Sequence, residues 1–277
     1  MVEVHVSKQF VGCQLDFDFQ LQSEEFVVIR GISGSGKTSL LNMISGIITP
    51  DSGTVSCSSK VLFDSQRKIN VPLNQRRIAY VFQADSLFPN MTVEENICFG
   101  GVEKDSALFE ELISKFGIET LLKSKPHQLS GGQKQKVQLA RAIAQQTPLL
   151  LLDEPFSSLD THSREIVKSA LLYFKSKFKF SVIMVSHFTE DWYGIASRLL
   201  RVESGKLIEE CMSSQVSMSN EYSGTLISSQ EVSSGHLLRI EVSGMVVTLF
   251  SAENVQIPIG SEVKVDHTGM MPKIYAL

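Results

Sequence analysis

The chain has 277 residues, with 26 Lys plus Arg against 30 Asp plus Glu and a formal charge of −4. A nucleic-acid binder working by bulk charge wants a clustered basic excess, so this balance argues against one. Hydrophobic residues at 43% and charged ones at 20% exclude a disordered chain, and the length allows one large domain or two unequal ones, of which two are expected.

Met1 to Phe10 alternates Val with Glu, His and Ser and is predicted as a strand; it lacks the continuous apolar core of a signal peptide, so a cytoplasmic protein is expected. Phe26-Val27-Val28-Ile29 is a short apolar run. The Gly31 to Ser39 segment follows at once, and then Leu40, Leu41, Met43, Ile44 and Ile47 at helical spacing, which spells strand, loop, helix. Asp51-Ser52-Gly53 is predicted as a turn, with Val55 to Phe63 and Arg77 to Phe82 as further strands. From Thr92 to about Ala144 the pattern is helical, with Leu108, Leu112, Ile113 and Phe116 forming one apolar stripe. Leu149 to Leu152 and Ser181 to Val185 have the continuous apolar character of parallel strands buried on both faces. No stretch approaches the roughly 20 apolar residues of a membrane helix.

Met212 to Asn220 is serine-rich and aperiodic, which is linker chemistry. Beyond it, Leu238 to Val242 alternates, Met245 to Phe250 follows Gly244 as a hairpin partner would, and Val263 and Val265 continue the alternation, so a small all-β module is expected. Cys13, Cys57, Cys98 and Cys211 lie far apart without a C-x-x-C pair, which argues against a zinc knuckle or a redox dithiol and predicts buried free thiols.

Gly31-Ile32-Ser33-Gly34-Ser35-Gly36-Lys37-Thr38 satisfies G-x-x-x-x-G-K-[ST] between a predicted strand and helix. Glycines let the backbone N–H groups turn inward around a polyphosphate, and the helix adds its positive end. Lys37 can reach the β- and γ-phosphates, the Thr38 hydroxyl can ligate Mg²⁺, and Ser39 completes the turn. The apolar run Leu149 to Leu152 ends in Asp153 and Glu154; alone such acids are commonly caps or surface charges, but beside a phosphate loop Asp153 can hold Mg²⁺ and Glu154 can polarise a water. Leu129-Ser130-Gly131-Gly132-Gln133 opens an amphipathic helix, either as a plain cap or as a second anion site. Gln83 follows a strand, where its carboxamide can reach metal and water, and His187 stands just past the strand ending at Val185, at the height of a γ-phosphate.

In this order the residues resemble the ATP-binding cassette ATPases over roughly Met1 to Met212. The resemblance makes Gly31 to Thr38 the phosphate loop, Gln83 the glutamine loop, Leu129 to Gln133 the signature, Asp153 and Glu154 the end of the Walker B strand, Ser157 to Asp160 the D-loop, and His187 the switch histidine. It implies an α/β phosphate-loop NTPase cassette, a RecA-like core with a helical subdomain at about 84–145, occupying 1–212. It also implies a linker at 213–221 and a small C-terminal all-β module of the oligonucleotide/oligosaccharide-binding type at 222–277. Two cassettes then face each other head to tail and bind two ATP with Mg²⁺. The phosphate loop, Asp153 and Glu154 of one copy meet Ser130 to Gln133 of the other, with Asp160 positioning the opposite site, and Thr38, Gln83 and Asp153 are the expected metal contacts. Phe10, or the neighbouring Val11, is the candidate for stacking on adenine.

The tail implies an importer's motor rather than an exporter's, peripheral on the cytoplasmic face of the membrane. It would work with integral permease subunits and, indirectly, a solute-binding protein. Leu87, Phe88, Pro89 and Met91 are either the groove for the permease or packing within the insertion. Asn70-Val71-Pro72 through Leu87-Phe88-Pro89 looks most like molybdate-type importers, with sulfate, iron, polyamine and sugar importers sharing much of it, although the tail lacks the Ser-Ala-Arg-Asn segment of the molybdate version. A cassette acting on chromosomes or ribosomes is disfavoured by the absence of a long insertion, heptads or a basic tail.

Overall fold

The computed structural model describes residues 1–188, 191, 194–210, 221–232, 235–242, 245–251, 257–266 and 273–276. Two compact units divide the chain, one of Met1–His187 with Leu200–Ile208 and one of Phe188–Leu199 with Glu209–Leu277.

The first unit opens with an antiparallel sheet. Strands β1 (Val2–Phe10) and β2 (Cys13–Leu21) pair along their whole length, and β4 (Ser52–Cys57), β5 (Lys60–Asp64) and β6 (Ile69–Asn70) follow in the order β2-β1-β4-β5-β6. The period of two decides which side chains go in: Val2, Val4 and Val6 from β1 and Leu15, Phe17, Phe19 and Leu21 from β2 are buried. Two expectations fail here. Gly53 lies inside β4 rather than in a turn, because β1 comes so close that a Cβ there would stand 1.9 Å from the His5 carbonyl oxygen. Val55 to Phe63 is a hairpin rather than one strand, reversing at Ser58-Ser59, both with positive φ (50° and 65°).

The second sheet has the order β11-β10-β3-β9-β8-β7, with β10 (Arg198–Glu203) and β11 (Lys206–Glu210) at one edge and β3 (Phe26–Arg30), β9 (Ser181–Val185), β8 (Leu149–Asp153) and β7 (Ile78–Val81) parallel. All five residues of β8 and all five of β9 are buried, as continuous apolar runs require when both faces are covered. Each of the four leucines of β8 contributes about 1.5–3 kcal/mol by leaving water, which makes this strand a firm support for the acid at its end. Helix α1 (Lys37–Ser45) buries Leu40, Leu41, Met43 and Ile44 and stops at Gly46 in the left-handed region.

The helical stretch contains α2 (Val93–Cys98), α3 (Ala107–Phe116) and α4 (Gly131–Ala144). Its apolar stripe on α3 is Phe109, Leu112, Ile113 and Phe116; Leu108 is only half buried, since Phe109 is the residue in i, i+3, i+4, i+7 register with the others. Helix α5 (Thr161–Phe178) follows β8.

The second unit contains an antiparallel sheet in the order β14-β13-β12-β15-β16, built from β12 (Glu221–Val232), β13 (Gly235–Val242), β14 (Met245–Ser251), β15 (Glu262–Asp266) and β16 (Lys273–Ala276). Leu226, Leu238, Ile240, Val242, Leu249, Val263 and Val265 form its own core. This sheet is consistent with a module of the oligonucleotide/oligosaccharide-binding type. Of the expected linker, 213–220 lies outside the described residues, while Glu221 belongs to β12.

Candidate functional site

In an open parallel sheet the carboxyl ends of the strands converge on one edge, where ligands bind. Strand β3 ends at Arg30 and passes into Gly31, Gly34 and Gly36, whose φ values of 153°, 80° and 103° give the tight path the spacing predicted. Lys37 is 6% exposed, and its ammonium donates to the carbonyls of Gly31 and Ile32, both at 2.9 Å, closing the loop into a ring. Burial holds this ammonium below its ordinary pKa, against the opposing pull of Glu154 and Asp153. Ser33, Gly34, Gly36, Lys37, Thr38 and Ser39 line a cavity of about 230 Å³. Ile32 is exposed instead, and the Ser35 hydroxyl is buried without a hydrogen bond.

The other walls of this cavity come from Gln83, Asp153, Glu154, Val185 and His187. Gln83 follows β7, Asp153 closes β8, and His187 follows β9, so residues as far apart as 38 and 153 in sequence meet: the Thr38 hydroxyl donates to Asp153 Oδ2 at 2.9 Å. Asp153 Oδ1 is buried with no hydrogen bond. A carboxylate oxygen held open beside a hydroxyl and a carboxamide is a hard-oxygen donor set of the kind Mg²⁺ takes. Burial raises the Asp153 pKa, opposed by the Thr38 hydrogen bond and by Lys37.

Glu154 is 6% exposed and sits at φ 51°, a left-handed conformation that costs a non-glycine residue on the order of 1–3 kcal/mol. Its N–H donates to the Val185 carbonyl at 3.0 Å, which carries the β8–β9 pairing one residue past the strand and turns its side chain to His187. His187 Nε2 stands 3.1 Å from Glu154 Oε1. Burial, then Lys37, hold the imidazole below its ordinary pKa, so it is neutral at pH 7 and can donate a proton to one partner while accepting from another.

Leu129 to Gln133 and Asp160 do not line this cavity. Ser130 is the N-cap of α4, accepting from the Gln133 N–H at 3.3 Å while Gln133 Oε1 accepts from the Ser130 N–H at 2.9 Å, a reciprocal pair that leaves Gly131 and Gly132 in the helix's first turn. Asp160 caps α5 by accepting from the Ser163 N–H at 2.7 Å. Phe10, the candidate for stacking on adenine, shares the inward parity of Val2, Val4 and Val6 and packs half buried against that core, while its neighbour Val11 at the hairpin tip is fully exposed.

A larger cavity of about 910 Å³ lies on the other side of the loop, lined by Gly31, Ile32, Gly34, Ser35 and His187 and by Cys13, Gln14, Leu15, Arg30 and Arg201 to Gly205. Sequence reasoning missed this wall; the alternation of Leu15, Phe17, Phe19 and Leu21 is the signal that would have placed β2 there. Cys13 is exposed, against the expectation of buried thiols, because it stands at the end of β2 beyond the covered part of the sheet; Cys57 is buried, Cys98 half buried, and Cys211 lies outside the described residues.

The sequence profile of the ABC transporter family matches residues 15–157, more than half of the chain. The Molybdenum import ATP-binding protein ModC of Pasteurella multocida is 38% identical over 207 residues, 75% of this chain and 59% of that protein. Its namesake in Vibrio parahaemolyticus is 39% identical over 201 residues, 72% and 55%. The chain therefore spans less than two thirds of the length of these relatives. The dimeric ATP-binding cassette MJ0796, in a post-hydrolysis state bound to ADP and Pi, superposes with a TM-score of 0.64 at 28% identity, over 76% of this chain and 98% of that one. The ADP conformation of the cassette MJ1267 shares the fold, with a TM-score of 0.64 at 22% identity over 76% and 90%. Loop, acids, sheet order and profile agree, and the chain belongs to the ABC transporter family.

Proposed function

We propose that the chain is the ATP-hydrolysing subunit of an importer, working as a pair of copies and driving uptake of molybdate or a similar oxyanion. The observation that carries the reading is the single cavity that joins Lys37 and Thr38 to Gln83, Asp153, Glu154 and His187 at the strand ends. The solute class rests on the names of the import proteins it is similar to.

In this reading Lys37 turns its ammonium from the Gly31 and Ile32 carbonyls to the β- and γ-phosphates, and the loop N–H groups of Ser33 to Thr38 take the remaining oxygens. Thr38, Asp153 and Gln83 would hold Mg²⁺, which would supply charge neutralisation for the phosphates. Glu154 orients the attacking water and accepts its proton; the neutral His187 donates its one N–H to the Glu154 carboxylate and holds it in place beside the γ-phosphate. Ser130 to Gln133, presented at the N-terminus of α4, close over the γ-phosphate of a second copy, and Asp160 supports the same contact. Hydrolysis then needs closure, and closure is the stroke.

The stroke is passed to membrane permease subunits, with the chain held at the cytoplasmic face. Among the described residues no helix is long and apolar enough to cross a membrane. Leu87 is buried and belongs to packing, whereas Pro89 and Phe99 are exposed and Phe88 stacks at a tilt on Phe99 at 4.4 Å, which supports an aromatic docking face there.

The test is Glu154→Gln. The variant should bind ATP and remain a dimer on a sizing column for as long as ATP is present, while the unsubstituted chain hydrolyses it and dissociates. Hydrolysis by the variant at the unsubstituted rate removes Glu154 from the role of base.

A further inference from the structure

The guanidinium of Arg76 is 2% exposed and takes no part in the chemistry above. Among the described residues it has no carboxylate partner; backbone carbonyls and one amide satisfy it instead. Its Nη1 donates to the Met43 and Ile44 carbonyls at 3.1 and 2.8 Å, its Nε to the Val71 carbonyl at 2.8 Å, and its Nη2 to Asn70 Oδ1 at 2.9 Å. Met43 and Ile44 are in the last turn of α1, whose carbonyls have no partner within the helix and whose dipole favours a cation. The next residue beyond the helix, Gly46, at φ 91°, leaves room for this fork: a Cβ there would stand 2.5 Å from Arg76 Nε.

A second tie runs in parallel. The Tyr80 hydroxyl, on β7, donates to Asn42 Oδ1 at 3.1 Å, and the Asn42 carbonyl accepts from the N–H groups of Gly46 and Ile48 at 3.1 and 3.0 Å. The end of α1 is thus held at two points by one segment, Arg76 to Tyr80. That segment delivers Gln83 three residues later, and the opposite end of α1 delivers Lys37 and Thr38 to the same cavity.

We propose that Arg76 and Tyr80 are positioning residues that lock the phosphate-loop helix to the strand carrying Gln83, and so fix the separation of Thr38 and Gln83 across which the divalent cation is shared. The inference rests on the Mg²⁺-ATP reading of the cavity. Groups that orient metal ligands from behind change metal affinity by roughly 10–100-fold when lost, and a planar fork making four directed bonds is not replaced by an ammonium.

The test compares Arg76→Ala, Arg76→Lys and Tyr80→Phe in the full chain by titrating a fluorescent ATP analogue with Mg²⁺ and with a chelator. The Mg²⁺ concentration giving half-maximal tightening should rise about 10-fold in Arg76→Lys and Tyr80→Phe, with affinity for the metal-free nucleotide within about twofold of the unsubstituted chain. A purely architectural role would weaken both forms equally, and that result, or no change in either, overturns the inference. If Arg76→Ala does not fold, Tyr80→Phe decides, since it removes one hydroxyl. Absence of any Mg²⁺ dependence in the unsubstituted chain overturns the Mg²⁺-ATP reading and the inference with it.

Discussion

A carboxylate 3% exposed, with one oxygen bonded to Thr38 and the other open, is an uneven arrangement for a free protein. Burial sets the folded pKa of Asp153 above the unfolded value of about 3.9. A raised carboxyl pKa contributes stability only below the unfolded value, and the contribution is lost as pH rises through the folded one. At neutral pH the ionised group therefore costs stability in the nucleotide-free chain, a cost that a bound cation would offset. Asp153→Asn keeps the shape and the acceptor for Thr38 while removing the charge. It should raise the melting temperature of the nucleotide-free chain by about 2–4 °C, the shift that roughly 1 kcal/mol produces at this size, and abolish the Mg²⁺-dependent part of ATP binding. A lowered melting temperature would mean that attraction to Lys37 outweighs desolvation.

At the scale of elements, the β4–β5 hairpin shows how local chemistry can be hidden. Cys57 pairs with Lys60, so Ser58-Ser59 is a two-residue loop with both φ positive, the geometry that Asn-Gly usually announces. Nothing in Ser-Ser signals it, and the stretch reads as one strand. Since a left-handed residue other than glycine is strained by about 1–2 kcal/mol, and glycine returns part of that through its freer unfolded chain, Ser59→Gly should stabilise by about 0.5–1 kcal/mol. Urea unfolding should show a higher midpoint with an unchanged slope. β12 was illegible for a related reason: its Ser228-Ser229-Gln230 segment carries no alternation, and its pairing with β13 slips between Leu226 and Ser228. By contrast β3, β8 and β9 were legible because burial on both faces leaves an unmistakable apolar run. α4 was legible as the amphipathic run that Leu129 to Gln133 opens, and the structure adds the reciprocal capping pair of Ser130 and Gln133. The stripe of α3 was off by one residue because Leu108 and Phe109 are both apolar and only the register of the buried face separates them.

For the whole molecule, the cavity residues Lys37, Thr38, Gln83, Asp153, Glu154 and His187 were legible because each stands directly after an apolar strand or inside a fixed loop pattern, positions that a parallel sheet gathers at one edge. The wall of the larger cavity was not, because Arg201 to Gly205 carries no motif and Cys13 to Leu15 is only the start of a strand whose alternation, Leu15, Phe17, Phe19 and Leu21, marks a buried face and not a site. Neither cavity is lined by Leu129 to Gln133 or by Asp160, and under the proposed function a second copy supplies them. That division can be tested by mixing. Lys37→Ala disables a loop. Ser130→Asp keeps a good N-cap for α4 but sets a negative charge against the partner's phosphates. With Glu154→Gln present throughout to hold ATP, neither variant alone forms an intact site, whereas a mixed pair has one: the loop of the Ser130→Asp copy closed by Ser130 of the Lys37→Ala copy. The mixture should retain about one ATP per mixed dimer after rapid desalting, against two in the parent and none in either variant alone. ATP retained by the Ser130→Asp protein alone at the parent level would show that one copy encloses its own nucleotide, and the shared site would have to be abandoned.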